Sequence, residues 1–140
     1  MPQTAIFGPF FAMLGLTLAV WIYLYARRIP FIRSLGNVDL SAPGTLQRLS
    51  PPAVSNPSDN FQNLFEVPVL FYALTLYLFV TGQVDGAYVA AGWAFAGFRA
   101  LHSAVHCTFN HVLTRFWLYF ASCVALAYMG FRAAVGHLAG

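Results

Sequence analysis

The sequence predicts an all-α integral membrane protein, a bundle of four transmembrane helices. Three observations carry this. Hydrophobic residues make up 59% and charged residues only 8% of the 140 positions, where a soluble domain carries roughly 25% charged residues. Such a chain cannot cover a water-facing surface. Its apolar residues fall in four long runs. Its ionisable residues gather at one end of those runs.

The first run, Ala5 to Ala26, is 22 residues without a charge, enough for the ~20 residues a spanning helix needs. It stops at Arg27-Arg28, and the span is predicted over 5–28. Met1-Pro2-Gln3-Thr4 lacks the positive region of a signal peptide, so this run reads as a retained span. The second span is predicted over 59–82, its apolar run starting at Val67 and its helix near Asp59. The third, 86–109, contains Arg99, His102 and His106. The fourth, 113–134, is bracketed by Arg115 and Arg132. All four belong to one domain, 1–140.

The connections differ in kind. Residues 29–58 hold Pro30, Pro43, Pro51, Pro52 and Pro57 and no helical apolar pattern, which reads as a long irregular loop. Thr81 to Gly86 and Asn110 to Thr114 are tight turns, making neighbouring helices antiparallel. The long loop region carries Arg27, Arg28, Arg33 and Arg48, and the third connection adds Arg115. The positive-inside rule places both on the cytoplasmic side, with the termini opposite.

Several functions are disfavoured. The net charge is only +3, with no lysine and no basic run, so no nucleic-acid partner is expected. Cys107 and Cys123 lie in apolar stretches outside any CxxC pair and read as small buried side chains. His102 and His106 form an i, i+4 pair that offers two metal ligands. One pair without a third ligand does not make a metal site, and none is predicted.

Depth and helical phase bring the unusual residues together. Asp59, Asn63 and Glu66 fall at i, i+4 and i+7 in the first turns of span 2. Arg99, His102, His106 and Asn110 share one face of span 3, with Arg99 about 16 Å below Asn110 at about 1.5 Å per residue. Arg115, Tyr119 and Ser122 repeat the pattern on span 4. A bare charge in lipid costs ~2.5–3.5 kcal/mol even on insertion scales, so these stripes must face protein or a wet cavity. Glu66 and Arg99 are the expected buried pair. The faces together predict a polar pocket opening to the cytoplasm.

Arginines hold carboxylates or phosphates through paired hydrogen bonds, and a glutamate holds an amine. An arginine beside a helix N-terminus also stabilises a thiolate or oxyanion. A zwitterionic thiol with several carboxylates fits this set, without being its unique solution.

Asn63-Leu64-Phe65-Glu66-Val67-Pro68 resembles the N-x-x-E-x-P signature of the MAPEG family, the membrane-associated proteins in eicosanoid and glutathione metabolism. Arg99-Ala100-Leu101-His102-Ser103, followed by Asn110, Arg115-Phe116 and Tyr119, is similar to that family's third- and fourth-helix signatures. Ala26-Arg27-Arg28 is similar to its first-helix ending. The resemblance covers nearly the whole chain. It implies a homotrimer with sites between neighbouring subunits and glutathione as co-substrate, open to the cytoplasm. Arg27, Asn63 and Glu66 would bind glutathione, Arg99 would support them, and His102, His106 and Tyr119 would line the pocket. Arg115 matches the arginine that stabilises the thiolate. The electrophile would be a lipophilic molecule arriving from the bilayer.

Two positions depart from the glutathione-active pattern. Asp59 stands where an arginine is usual, and His106 where a tyrosine is frequent. The chain looks like the bacterial branch, which implies an inner-membrane location. Two functions follow. One is a glutathione transferase or peroxidase acting on lipophilic electrophiles. The other is a non-catalytic membrane protein that binds lipid or another anionic amphiphile in the same pocket.

Overall fold

The computed structural model describes residues 1–140. Every regular element is helical. A 3-10 turn over Gln3–Ile6 leads into α1 (Phe7–Ser34), followed by α2 (Thr45–Leu49), α3 (Pro52–Asn63), α4 (Val67–Val80), α5 (Gly86–Cys107) and α6 (Val112–Ala139). Three stretches are long and apolar enough to cross a membrane: residues 3–34, 52–80 and 112–139. α5 is not among them, because Arg99, His102 and His106 interrupt its apolar run.

Two sequence expectations change here. The 29–58 segment is not wholly irregular. α1 continues through Pro30 to Ser34, and α3 already begins at Pro52. Pro52 sits in the first turn, where its missing N–H has no intrahelical partner to lose and its fixed φ suits a helix. Prolines that read as loop punctuation therefore start a helix. The second span is also two helices rather than one. Leu64–Glu66 interrupt it, and Glu66 has φ −96 and ψ −102, outside the helical region. Pro68 in the first turn of α4 explains the break. It has no N–H to donate, and its ring crowds the carbonyl four residues earlier, at Leu64.

α5 is the hub, packing against α6, α1 and α3, while α4 packs against α6 and α1. The apolar core is built from Met13, Phe71, Leu78, Phe95 and Met129. The Phe71 and Phe95 rings stack at 4.5 Å. α1 and α5 approach closely at Gly92, where an added Cβ would lie 2.9 Å from Pro9 Cγ. Only 27 of 140 residues are buried, and Ile22, Leu70, Trp93 and Phe131 are among the large apolar side chains turned outward. Such a surface is suited to lipid and not to water.

At one end of the helices a clasp ties the 81–85 turn to α6. Asp85 caps α5, accepting from the Ala87 and Tyr88 backbone N–H groups, both at 3.1 Å. Its carboxylate also receives two hydrogen bonds from the Arg132 guanidinium, at 2.7 and 2.5 Å. That guanidinium lies 4.3 Å over the Tyr88 ring. The remaining arginines of α5 and α6 stand at the other end and deeper in the helices.

Candidate functional site

The helix break between α3 and α4 sets up the site. It takes the Asn63 carbonyl out of a continuous helical ladder, and Arg99 of α5 reaches across to it. Arg99 Nη2 donates to that oxygen at 2.9 Å. The arginine is fully buried, and its guanidinium carbon lies 5.2 Å over the Tyr119 ring of α6. Its Nε and Nη1 are buried without a hydrogen-bond partner. A buried guanidinium with open donors is costly, and it is poised to receive acceptor atoms.

A cleft of about 230 Å³ opens beside this group, lined by Asn63, His102, Val112, Arg115, Phe116 and Tyr119. Each residue arrives by a separate element. Asn63 ends α3, His102 lies on the inward face of α5, and Arg115, Phe116 and Tyr119 occupy the first turns of α6. His102 Nδ1 is 3.0 Å from the Arg115 backbone carbonyl. A carbonyl only accepts, so Nδ1 carries a proton there. Its Nε2 is buried with no partner. The His102 and Tyr119 rings lie 5.8 Å apart.

Arg115 is half-buried and held from the turn before it. Its Nη1 donates to Asn110 Oδ1 at 2.7 Å. Asn110 has φ +47, the left-handed region that asparagine tolerates better than other side-chain-bearing residues. In that conformation its N–H closes α5 on the Val105 carbonyl at 2.8 Å. Its side-chain NH₂ donates to Asn56 Oδ1 of α3 at 3.2 Å. One turn residue thus links α3, α5 and the arginine.

The structure gathers five of the eight expected site residues. Asn63, His102, Arg115 and Tyr119 line the cleft, and Arg99 stands behind its wall. His106 is buried behind His102, ring centroids 5.7 Å apart, and does not line the cleft. Arg27 is exposed on α1 and bonds the Tyr23 hydroxyl at 3.4 and 3.3 Å. Glu66 is exposed and forms no ion pair with Arg99, so the expected buried pair is absent; the one ion pair of the chain is Arg132–Asp85. The reason is the break at Leu64–Glu66, which turns Glu66 away from the face that Asn63 shares.

Asp59 also leaves the expected group, lining a second cavity with Arg28 on the α1 side of α3. The buried polar member of α3 is instead Asn60. It accepts from the Ser103 hydroxyl at 3.2 Å and lies 3.5 Å from Cys107 Sγ. Sequence reasoning missed Asn56, Asn60 and the positioning role of Asn110. Their spacing is a signal in retrospect: Asn56, Asn60 and Asn63 recur at i, i+4 and i+7.

The cleft is cationic. Two guanidinium groups serve it, the start of α6 adds the positive end of its helix dipole, and no carboxylate lines it. Such a place holds an anion or stabilises one as it forms. No group of three or more histidine, cysteine or carboxylate side chains with metal-ligand geometry occurs in the chain.

Fold and cleft together define a multi-pass helical membrane protein with a cationic, partly apolar cleft between its polytopic helices. The MAPEG family model matches residues 6–135, all but five residues at each end. The chain belongs to the MAPEG family. No curated protein and no solved structure matches it.

Proposed function

We propose that the protein is a glutathione-dependent membrane enzyme of the transferase or peroxidase type, acting on lipophilic electrophiles. The observation that carries this reading is Arg115. It is a half-buried guanidinium at the start of α6, fixed by Asn110 at the mouth of a cleft that also draws on Arg99. There it holds glutathione as thiolate, lowering the cost of the S–H proton leaving to solvent. The thiolate sulfur forms a bond to the electrophilic carbon as the bond to the leaving group breaks, and the leaving group departs with the electron pair. Asn63 binds a polar end of the tripeptide, held from behind by Arg99, while Val112 and Phe116 face its apolar partner.

In this reading α5 also spans, making a four-helix transmembrane bundle, and three copies assemble. Two observations support assembly. The cleft of about 230 Å³ is below the roughly 300–1,000 Å³ of ordinary ligand pockets. Arg27 and Glu66 lie exposed outside it, free to complete a neighbour's site. The arginine-rich end faces the cytoplasm of a bacterial inner membrane.

A second reading is a non-catalytic protein that holds lipid or another anionic amphiphile. The apolar Val112 and Phe116 in a cationic cleft favour it. A glutathione titration of the purified protein, with and without Arg115→Ala, separates the two. The enzyme reading expects saturable binding and conjugation of a model electrophile. It also expects turnover to fall on the order of 100-fold in the variant, as for loss of one oxyanion donor. Absence of glutathione binding, with copurified lipid instead, favours the second.

A further inference from the structure

The second cavity lies apart from the cleft, against the arginine-bearing end of α1. It has a volume of about 220 Å³ and is walled by Arg28, Gln47, Ser50, Ser55, Ser58 and Asp59, with Leu46 its single apolar lining residue. Arg28 is half-buried. Its Nη2 donates to Ser58 Oγ at 2.7 Å, while its Nε is buried with no partner. The cavity therefore offers one cation with an open donor, hydroxyls that donate or accept, and one carboxylate. Asp59 and Arg28 make no ion pair with each other, so each has its charge to offer a ligand.

A ligand that satisfies both charges carries an anion and a cationic donor a few bonds apart. From this we infer that the cavity binds a phosphate ester bearing a primary ammonium, the phosphoethanolamine group. The phosphate oxygens accept from the guanidinium and the serine hydroxyls, which match them in geometry and charge. The ammonium donates to Asp59 and to a serine oxygen. The wall also argues against the trimethylated analogue. A quaternary ammonium donates no hydrogen bond and is recognised by aromatic cages, and no aromatic side chain lines the cavity.

Position favours the membrane as source. Arg28 follows the uncharged run of α1, and its guanidinium carbon lies 5.7 Å over the ring of exposed Tyr25. Exposed Ile29 stands beside it. Exposed aromatic and apolar side chains next to an arginine at a span end mark the headgroup level of a bilayer.

The test uses the full chain in detergent, stripped of lipid and titrated with an equimolar mixture of phosphatidylethanolamine and phosphatidylcholine of identical acyl chains. Native mass spectrometry reads the adducts. The wild type is expected to prefer the ethanolamine lipid about tenfold, the worth of one charged hydrogen bond. Asp59→Asn, at an exposed position where folding is not at stake, is expected to equalise the two lipids. Arg28→Gln is expected to weaken both. Equal uptake by the wild type, or an undiminished ethanolamine preference in Asp59→Asn, overturns the inference. Soluble O-phosphoethanolamine distinguishes the sources. If it displaces the lipid at matched concentration, the free ester suffices as ligand. If the lipid stays, the acyl chains contribute and the source is the membrane. Both results require the same pocket.

Discussion

Arg99 on α5 donates a hydrogen bond to the backbone carbonyl of Asn63 at 2.9 Å, where α3 stops and α4 has not yet begun. The contact joins a break in one helix to a buried charge on another. It sets Asn63 in the wall of the cleft with Arg99 behind it, and it accounts for a guanidinium that would otherwise be without a partner in the core.

Replacing Arg99 by lysine keeps the charge and removes the planar fork and its stacking on Tyr119. Lysine does not reproduce a stacked, forked site. Glutathione affinity in Arg99→Lys is expected to fall about tenfold, the worth of roughly 1.4 kcal/mol, with helix content kept. Binding titration and circular dichroism check this. Wild-type affinity in the variant means that the charge alone matters.

Asn110 is expected to act through Arg115. Asn110→Gly keeps the left-handed turn, which glycine adopts without strain, and deletes the 2.7 Å bond to the guanidinium. Hydrogen bonds to charged groups contribute about 1.5–3 kcal/mol, so kcat/KM is expected to drop tenfold or somewhat more. KM for glutathione should change less than kcat, because the arginine stays present but loosely aimed. Asn110→Ala should lose thermal stability as well, having the strain that glycine avoids. Steady-state kinetics beside thermal unfolding separate the two effects.

The Asp85–Arg132 clasp sets an acid dependence of stability. The Arg132 guanidinium, with the N–H groups at the start of α5, holds the Asp85 carboxyl down at about 2, against about 3.9 for a free aspartate. A depressed folded value means stability that is present above the unfolded value and lost as pH falls through the folded one. The window is therefore pH 4 down to about 2. The side chains are 38% and 45% exposed, so after screening the effect is at most about 1 kcal/mol. Asp85→Asn keeps a cap for α5 and should flatten this part of the melting-temperature profile. A profile identical to wild type between pH 2 and 5 counts against the clasp.

Gly92 and Gly97 offer a paired test of helix packing. Both lie on α5, so alanine brings the same gain in helix propensity at each. At Gly92 the new Cβ meets the rigid Pro9 ring at 2.9 Å, and at Gly97 it meets nothing within 4 Å. Gly92→Ala is expected to be less stable than Gly97→Ala by about 1–3 kcal/mol, the range for overpacking. Equal melting temperatures in detergent would place the α1–α5 contact elsewhere.

Much of this was legible in the residues themselves. The apolar runs, the arginines at their ends and the shared face of Arg99, His102 and His106 follow from composition and helical period, whereas Asn110, expected on the same face, lies past the end of α5 in a left-handed turn. That face is inward in the structure. The signatures around Asn63 and Arg99 identified the MAPEG resemblance, and the family match covers residues 6–135. The phase of Glu66 was not legible, because counting from i to i+7 assumes an unbroken helix and Pro68 breaks it at Leu64–Glu66. The neighbour of Asp59 was not legible either: it shares the unbroken α3 with Asn63, and the packing of α3 against both α1 and α5 sets Asp59 beside Arg28.

The sequence by itself thus determined a membrane protein of long apolar helices and which residue types had to avoid lipid, because burial of charge in hydrocarbon is costly whatever the fold. Only the tertiary structure decided which of those residues meet. Asn63, His102, Arg115 and Tyr119 share one cleft, Asp59 joins Arg28 in another, and Arg27 and Glu66 remain outside. The physical reason is that lipid avoidance constrains a side chain to an inward face, while its partner is set by helix breaks, turn conformation and the rotation of one packed helix against the next.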